Sequence, residues 1–399
     1  HARDAARGGG GGMTDLIKAS TWPGAEFADG ASWPPQGGEL VGAPAPDAVA
    51  VLAGSGGAAP AELKARHQDI DLRFAIVDSS VPVPRGANVV RKWSEEYWRM
   101  LGAARLIVFN DRLPNAYTPR SDQYVLQTWH GTPIKKIGHD IADPKFDKNY
   151  LVSLELEVPK WNMLISPNSA STGRFRSAFK FDGEVLETGY PRNDVLLAPD
   201  RDKIRDHVRA SLGIRPDEFC IFYAPTWRDG KKIAPGKYGI DIIPDLELVQ
   251  KSIPKSRIIF RAHHLMVSDI GDLRNKRIQD VSSYPDVALL YLAADVLISD
   301  YSSVIVDYSV TGKPMLFYTP DLSEYSDQVR GFYGDFTAEA PGPFLYSQEE
   351  LIAALVEAKS GVLASRYAEH YKQWQLKYCY LDDGQASKRV VSRIGSLVL

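Results

Sequence analysis

The chain has 399 residues, with 47 basic and 50 acidic side chains and a formal net charge of −3. This length supports two or three domains with a substantial core. The near-balance of charge offers no bulk attraction to nucleic acid, and no nucleic-acid partner is expected. Cys220 and Cys379 are far apart, the first inside the apolar run "FCIFYAP". They read as reduced, packed thiols and not as a disulfide framework. No uncharged apolar stretch approaches the length of a membrane span, and no signal peptide is visible. The expected location is cytoplasmic, with any membrane contact peripheral.

The chain opens on His1 and a glycine run, with Met13 following, which reads as an extended or appended start. Residues 1–65 are rich in Gly, Ala and Pro and read as a flexible arm, with "DAVAVLAG" as an alternative strand at the edge of the first domain. From about residue 70 short apolar strands alternate with helices. "LRFAIVD" is a strand, and "SEEYWRMLGAA" a helix with Ser94 as N-cap. "RLIVFN", "QYVLQTW", "WNMLISP" and "EVLETG" follow as strands, with the helix "ASTGRFRSAF" before the last. "GYPRND" punctuates the chain. After the helix "DRDKIRDHVRASLG" a second series runs through the strands "EFCIFYAPT", "RIIFRAH", "VLISD" and "KPMLFY". The helices "PDLELVQKSI", "LLYLAAD" and "SSVIVDYSVTG" lie between them, and the end is helical from "SQEELIAALVEAKSG" onward. Two such series predict an α/β chain of two facing doubly wound domains. Their expected bounds are 66–198 and 199–365, with closing helices over 366–399.

Ligands of open α/β sheets bind beyond the carboxyl ends of the strands. Unusual residues gather at those ends here. In the first domain "YVLQ" runs into Trp129, His130, Gly131 and Thr132, with Lys135 and Lys136 just beyond. In the second, one strand ends in Thr226, Trp227, Arg228 and Asp229, another in Arg261, His263 and His264, and a third in Ser299, Asp300, Tyr301, Ser302 and Ser303. Ser302 and Ser303 open a helix, whose free N–H groups suit an anion, though N-capping alone explains a serine there. Asp307 lies one turn on, either binding a hydroxyl or facing solvent. Arg228 could clamp a phosphate or pair with Asp229. His263 could donate to a phosphate oxygen or be an ordinary core histidine. No P-loop, G-x-S-x-G elbow, Rossmann glycine fingerprint or zinc spacing is present.

In order along the chain, "QTWHGTPIKKIGHD", "GYPRND", "FYAPTWRDG", "RAHH", "LISDYSSVIVDYSVTGKPMLFYTPD", "RGFYGDF" and "DGQASKRVV" together resemble the CDP-glycerol glycerophosphotransferase family of teichoic-acid and capsule polymerases. The resemblance runs from about Asn88 to Val391. It implies a GT-B fold, with the nucleotide held mainly by the C-terminal domain and "ASKRVVSRIGSLVL" crossing back to the first. It implies transfer of glycerol phosphate from CDP-glycerol to a hydroxyl of a lipid-linked or polymeric polyol-phosphate acceptor, releasing CMP. His130 would be the general base, its imidazole suited to proton transfer near neutral pH. His263, Arg228 and the Ser302–Ser303 helix start would hold the pyrophosphate and stabilise the leaving CMP. No catalytic metal or other cofactor is implied. Thr226, Arg261 and Ser299 join the donor and phosphate-binding side, with Asp300 and Asp307 as orienting or hydroxyl-binding groups. Gly131 would clear space for the acceptor, Thr132 joins it on the acceptor side, and Lys135 and Lys136 would guide a polyanion. His264 departs from the proline common at that position in the family and leaves the local turn open.

Three other readings compete. The donor could carry ribitol or another polyol or sugar phosphate, a difference set by pocket shape. The chain could be a GT-B glycosyltransferase using a nucleotide sugar. It could be a nucleotide-binding scaffold of the cell envelope. A membrane-bound acceptor would place any peripheral contact at the inner membrane face. The basic, partly amphipathic C-terminal segment could serve that contact or, as preferred here, pack as the closing helix.

Overall fold

The computed structural model describes residues 45–52, 59–77, 88–142, 148–226, 232–234, 237–238, 243–261, 277–322 and 331–398. Seven strands form the first sheet: β1 (Ala45–Leu52), β2 (Asp71–Ile76), β3 (Asn88–Arg91), β4 (Ala104–Phe109), β5 (Tyr124–Gln127), β6 (Met163–Ser166) and β7 (Glu184–Glu187). Their order is β3-β2-β1-β4-β5-β6-β7, with every pairing parallel. The second half begins with β8 (Phe219–Tyr223), followed by a small antiparallel ribbon of β9 (Lys232–Ala234) and β10 (Lys237–Tyr238). The second sheet is completed by β11 (Ser256–Phe260), β12 (Ile278–Asp280), β13 (Val296–Ser299), β14 (Met315–Tyr318) and β15 (Phe344–Leu345), in the order β12-β11-β8-β13-β14-β15. Both orders reverse at the first strand of their domain, as in doubly wound nucleotide-binding folds, and the pair makes a GT-B molecule.

These segments are strands because both faces of a parallel sheet are covered, which selects unbroken apolar runs. Ile258, Ile259 and Phe260 of β11 and Val296, Leu297 and Ile298 of β13 are fully buried. Each sheet is sandwiched between two apolar cores. In the first domain Tyr97, Trp98, Phe175 and Phe179 fill one face, while Leu72, Leu106 and Ile165 pack on the other. Ser94 caps its helix as expected, its hydroxyl accepting the Tyr97 N–H at 3.2 Å.

The N-terminal boundary needs correction. Ala45–Leu52 is a strand at the middle of the first sheet, paired on both sides with β2 and β4. The alternative strand reading of "DAVAVLAG" therefore holds, in an internal position and not at an edge. The arm over residues 1–65 gives way to a domain that begins by Ala45. The sequence reading missed this because Ala and Gly dilute the apolar signal of the run.

The closing helices divide their work. Trp374 and Tyr378, on the helix Ala368–Tyr378, join the core of the second domain. The helix Ala386–Val398 crosses back, placing Val390, Val391 and Ile394 against Leu72 and Leu106. Burying three such side chains contributes roughly 1.5–3 kcal/mol each. The apolar face of this helix is thus occupied by the first domain. Its start is held by Asp194, whose carboxylate accepts the Ala386 N–H at 3.0 Å and the Ser387 N–H at 2.8 Å. Asp194→Ala should destabilise the chain by about 1 kcal/mol, the usual worth of a helix N-cap. The loss would appear as a lower melting temperature and faster amide exchange over the first turn of that helix.

Candidate functional site

The loop after β5 turns sharply. Trp129 adopts φ of 53°, a left-handed conformation that bulky residues rarely take. Three contacts hold it there. The Trp129 N–H donates to Gln127 Oε1 at 2.7 Å, and the Thr128 N–H donates to the Phe109 carbonyl at 2.7 Å. The indole packs on Phe179, with ring centroids 4.7 Å apart.

The turn brings His130 out of the sheet and stacks its ring on Trp129 at 4.3 Å. Nδ1 lies 2.7 Å from the Asn110 carbonyl oxygen. A carbonyl only accepts, so Nδ1 carries the proton of the neutral ring and Nε2 keeps the lone pair. The residue is exposed, yet the protein packed around its ring is the largest influence on its acidity and lowers its pKa. The Asn110 bond and the charge of Asp111 oppose that shift, while Arg192 and Arg112 reinforce it. The result is a neutral imidazole with an unprotonated Nε2 at neutral pH, the form a general base requires.

Gly131 meets the other domain. A Cβ at this position would lie 2.4 Å from Ser303 Oγ and 2.9 Å from Ser303 Cβ. The space expected to admit an acceptor is filled by Ser303, so the glycine serves the approach of the two domains. Thr132 is also buried and not presented to an acceptor. Beyond it, Ile134–Ile137 pairs with Gly331–Tyr333 of the second domain. The Lys136 N–H donates to Gly331 O at 3.0 Å, the Tyr333 N–H donates to Ile134 O at 3.0 Å, and Lys135 bridges Phe332. Tyr333 Oη then donates to Asp140 Oδ2 at 2.6 Å. Lys135 and Lys136 are half-buried members of this ribbon, not a solvated loop.

On the second domain, the helix expected over "SSVIVDYSVTG" is short, Val304–Ser309. Ser303 occupies its N-cap without a side-chain cap bond, and Ser302 Oγ accepts the Val304 N–H at 3.4 Å. Both serines are half-buried and lie where β13 ends, next to His130's loop. The other expected donor-side groups have structural partners. Ser299 is buried and donates to the Ala224 carbonyl at 2.7 Å. Asp300 accepts the Thr226 N–H at 2.8 Å, lashing the ends of β8 and β13 together. Arg261 donates to the carbonyls of Val281 and Tyr284. Asp307 neither faces solvent nor awaits a hydroxyl. It is buried and binds Arg192 through two bonds of 3.0 and 3.2 Å. Arg228, His263 and His264 lie outside the described residues.

Arg192, Gln127, Asn110 and Tyr333 were not singled out from the sequence. "GYPRND" and "RGFYGDF" did mark the segments carrying Arg192 and Tyr333. Gln127, polar at the end of an apolar strand, was the available signal for the third. Asn193, next to Arg192, donates to Asp307 at 3.4 Å and to Asp382 at 3.1 Å. Burial raises the Asp382 carboxyl to about 7, with the Asn193 bond opposing and the charge of Asp307 adding to the shift.

A family model described as CDP-glycerol:poly(glycerophosphate) glycerophosphotransferase matches residues 55–396. The chain is 39% identical over 318 residues to the teichoic acid poly(glycerol phosphate) polymerase of Bacillus spizizenii, covering 77% of this chain and 78% of that one. It is 37% identical over 342 residues to the teichoic acid glycerol-phosphate transferase of Staphylococcus aureus, covering 84% and 87%. Its fold is similar to a solved structure of the wall teichoic acid polymerase TagF, with a TM-score of 0.79 and 31% identity over 89% of this chain and 90% of that one.

Two outcomes follow from the geometry. Gly131→Ala should destabilise by about 1–3 kcal/mol through overpacking. Adding Ser303→Gly should recover most of that loss in a double-mutant melting cycle, because it removes both clashing atoms. Asp382→Asn should stabilise the protein increasingly as pH rises. The folded pKa of Asp382 lies above the unfolded value of about 3.9, so the wild type loses stability between that value and the folded one near 7. Melting temperatures of the two proteins at pH 5 and pH 8 measure the divergence.

Proposed function

The chain belongs to the CDP-glycerol:poly(glycerophosphate) glycerophosphotransferase family, and on that premise we propose that it transfers glycerol phosphate from CDP-glycerol to the terminal hydroxyl of a growing poly(glycerol phosphate) chain. His130 acts as the general base. The observation that carries this is the 2.7 Å bond from Nδ1 to the Asn110 carbonyl, which leaves Nε2 unprotonated on an exposed residue.

In this reading the acceptor hydroxyl gives its proton to Nε2 as its oxygen attacks the phosphorus that bears glycerol. The bond from that phosphorus to the bridging oxygen breaks, and the electron pair leaves with CMP. The imidazolium then returns its proton to solvent. Ser302 and Ser303, beside the base across the domain contact, are suited to bind phosphate oxygens, and Arg228 and His263 are proposed to complete that cradle. Phosphoryl transfer asks mainly for positioning and charge stabilisation, which such groups supply. The lipid-linked form of the acceptor and a peripheral contact with the membrane face belong to the same proposal. Among the described residues no helix is long and apolar enough to cross a membrane.

The test is CMP release from CDP-glycerol in the presence of acceptor, with mass analysis of the product. His130→Gln should lose at least about a hundredfold in kcat, the usual worth of general-base catalysis, with the fold intact. Wild-type turnover in that variant would remove His130 from the role. The acid limb of kcat/KM should lie below about 6.5, the ordinary imidazole value, because the ring is held neutral and activity falls only when it is protonated.

A further inference from the structure

We propose that Gln127 is a positioning residue for the reaction: its single amide ties together the two loops that set the direction and tautomer of the His130 imidazole. This rests on the reading of His130 as base. Gln127 is the last residue of β5 and is fully buried. A buried amide is costly unless its polar atoms are paired. Here Oε1 accepts from the Trp129 N–H at 2.7 Å and Nε2 donates to the Asp111 carbonyl at 3.0 Å.

Those two partners belong to different loops. Trp129 precedes His130 in the turn after β5. Asp111 follows Asn110 in the turn after β4, the neighbouring strand, where Phe109 pairs with Gln127. The Asn110 carbonyl is the acceptor for His130 Nδ1 at 2.7 Å. The result is a closed circuit: Gln127 to Trp129, along the chain to His130, across to Asn110, along the chain to Asp111, and back to Gln127. Three hydrogen bonds close it, and Gln127 makes two of them. One of these holds Trp129 in its left-handed conformation, where a non-glycine residue persists only if its surroundings compel it. The other places the carbonyl that keeps the His130 proton on Nδ1. A side chain that controls both the backbone and the proton of a base acts on the reaction without touching substrate.

Gln127→Met keeps the length of the side chain and removes both bonds. Gln127→Leu likewise removes both bonds, with a shorter and stiffer apolar side chain. The readout is nitrogen-15 NMR of histidine side chains in the full chain without substrate, with His130 assigned among the eight histidines by its absence in His130→Gln. The wild type should show His130 as the Nδ1–H tautomer. Gln127→Met should shift it toward Nε2–H and lower kcat about ten- to a hundredfold, with KM for CDP-glycerol within about twofold. Gln127→Leu should do the same and carries the test if the methionine variant does not fold. An unshifted tautomer in the folded variant overturns the role of Gln127, whatever its turnover. A shifted tautomer with unchanged turnover upholds its hold on the ring and overturns the base reading instead.

Discussion

The paired charges of Arg192 and Asp307 are the constraint around which the two domains are arranged. Arg192 lies on the connector between the sheets, in the short helical stretch Pro191–Leu197, and Asp307 on the helix after β13. Two parallel hydrogen bonds of 3.0 and 3.2 Å fix distance and orientation together, as a single lysine bond could not. The guanidinium also lies 3.7 Å from the centre of the Tyr190 ring. Burying two charges is expensive, and such a pair is a weak source of net stability. Removing one partner, however, typically costs 3–5 kcal/mol, because the other is left buried and unpaired. The pair therefore acts as a register mark. It penalises every arrangement of connector and helix in which the two do not meet.

With that register set, the remaining contacts between domains fall into place. Gly131 comes against Ser303 with no room for a methyl group. The segment after His130 then runs beside Gly331–Tyr333 and exchanges main-chain bonds with it. Ile134, from the first domain, is buried in the core of the second. The loop of the candidate base is consequently anchored at both ends: to its own sheet through Gln127 and to the opposite domain through this ribbon. Separating the two domains at this point would have to break the ribbon.

Much of this was legible in the sequence, and what was not has identifiable causes. The alternation of apolar strands and helices, the cap at Ser94 and the polar strand ends all report local chemistry, and local chemistry is what periodicity and composition record. Asp307 shows where that stops. It was weighed as a hydroxyl ligand or a solvated residue, and its partner lies 115 positions away, in a segment read as a turn and a family motif but with no role given to Arg192. Gly131 was understood as a space-maker, but the occupant of the space comes from the other domain. The central strand was obscured by its alanines. The tautomer of His130 depends on a main-chain carbonyl, which no side-chain pattern can reveal.

The position of β1 has a consequence for how the chain can be cut. Strands β2 and β3 join the sheet only through β1, while β4 to β7 lie on its other side. Trimming the glycine- and alanine-rich beginning past Ala45 would remove not a tail but the seam of the sheet. It would leave β2 and β4 each with a bare row of unpaired N–H and C=O groups facing a gap one strand wide. Exposed parallel edges of that kind invite pairing between molecules. Shortened forms of this protein that begin inside β1 would therefore be prone to self-association.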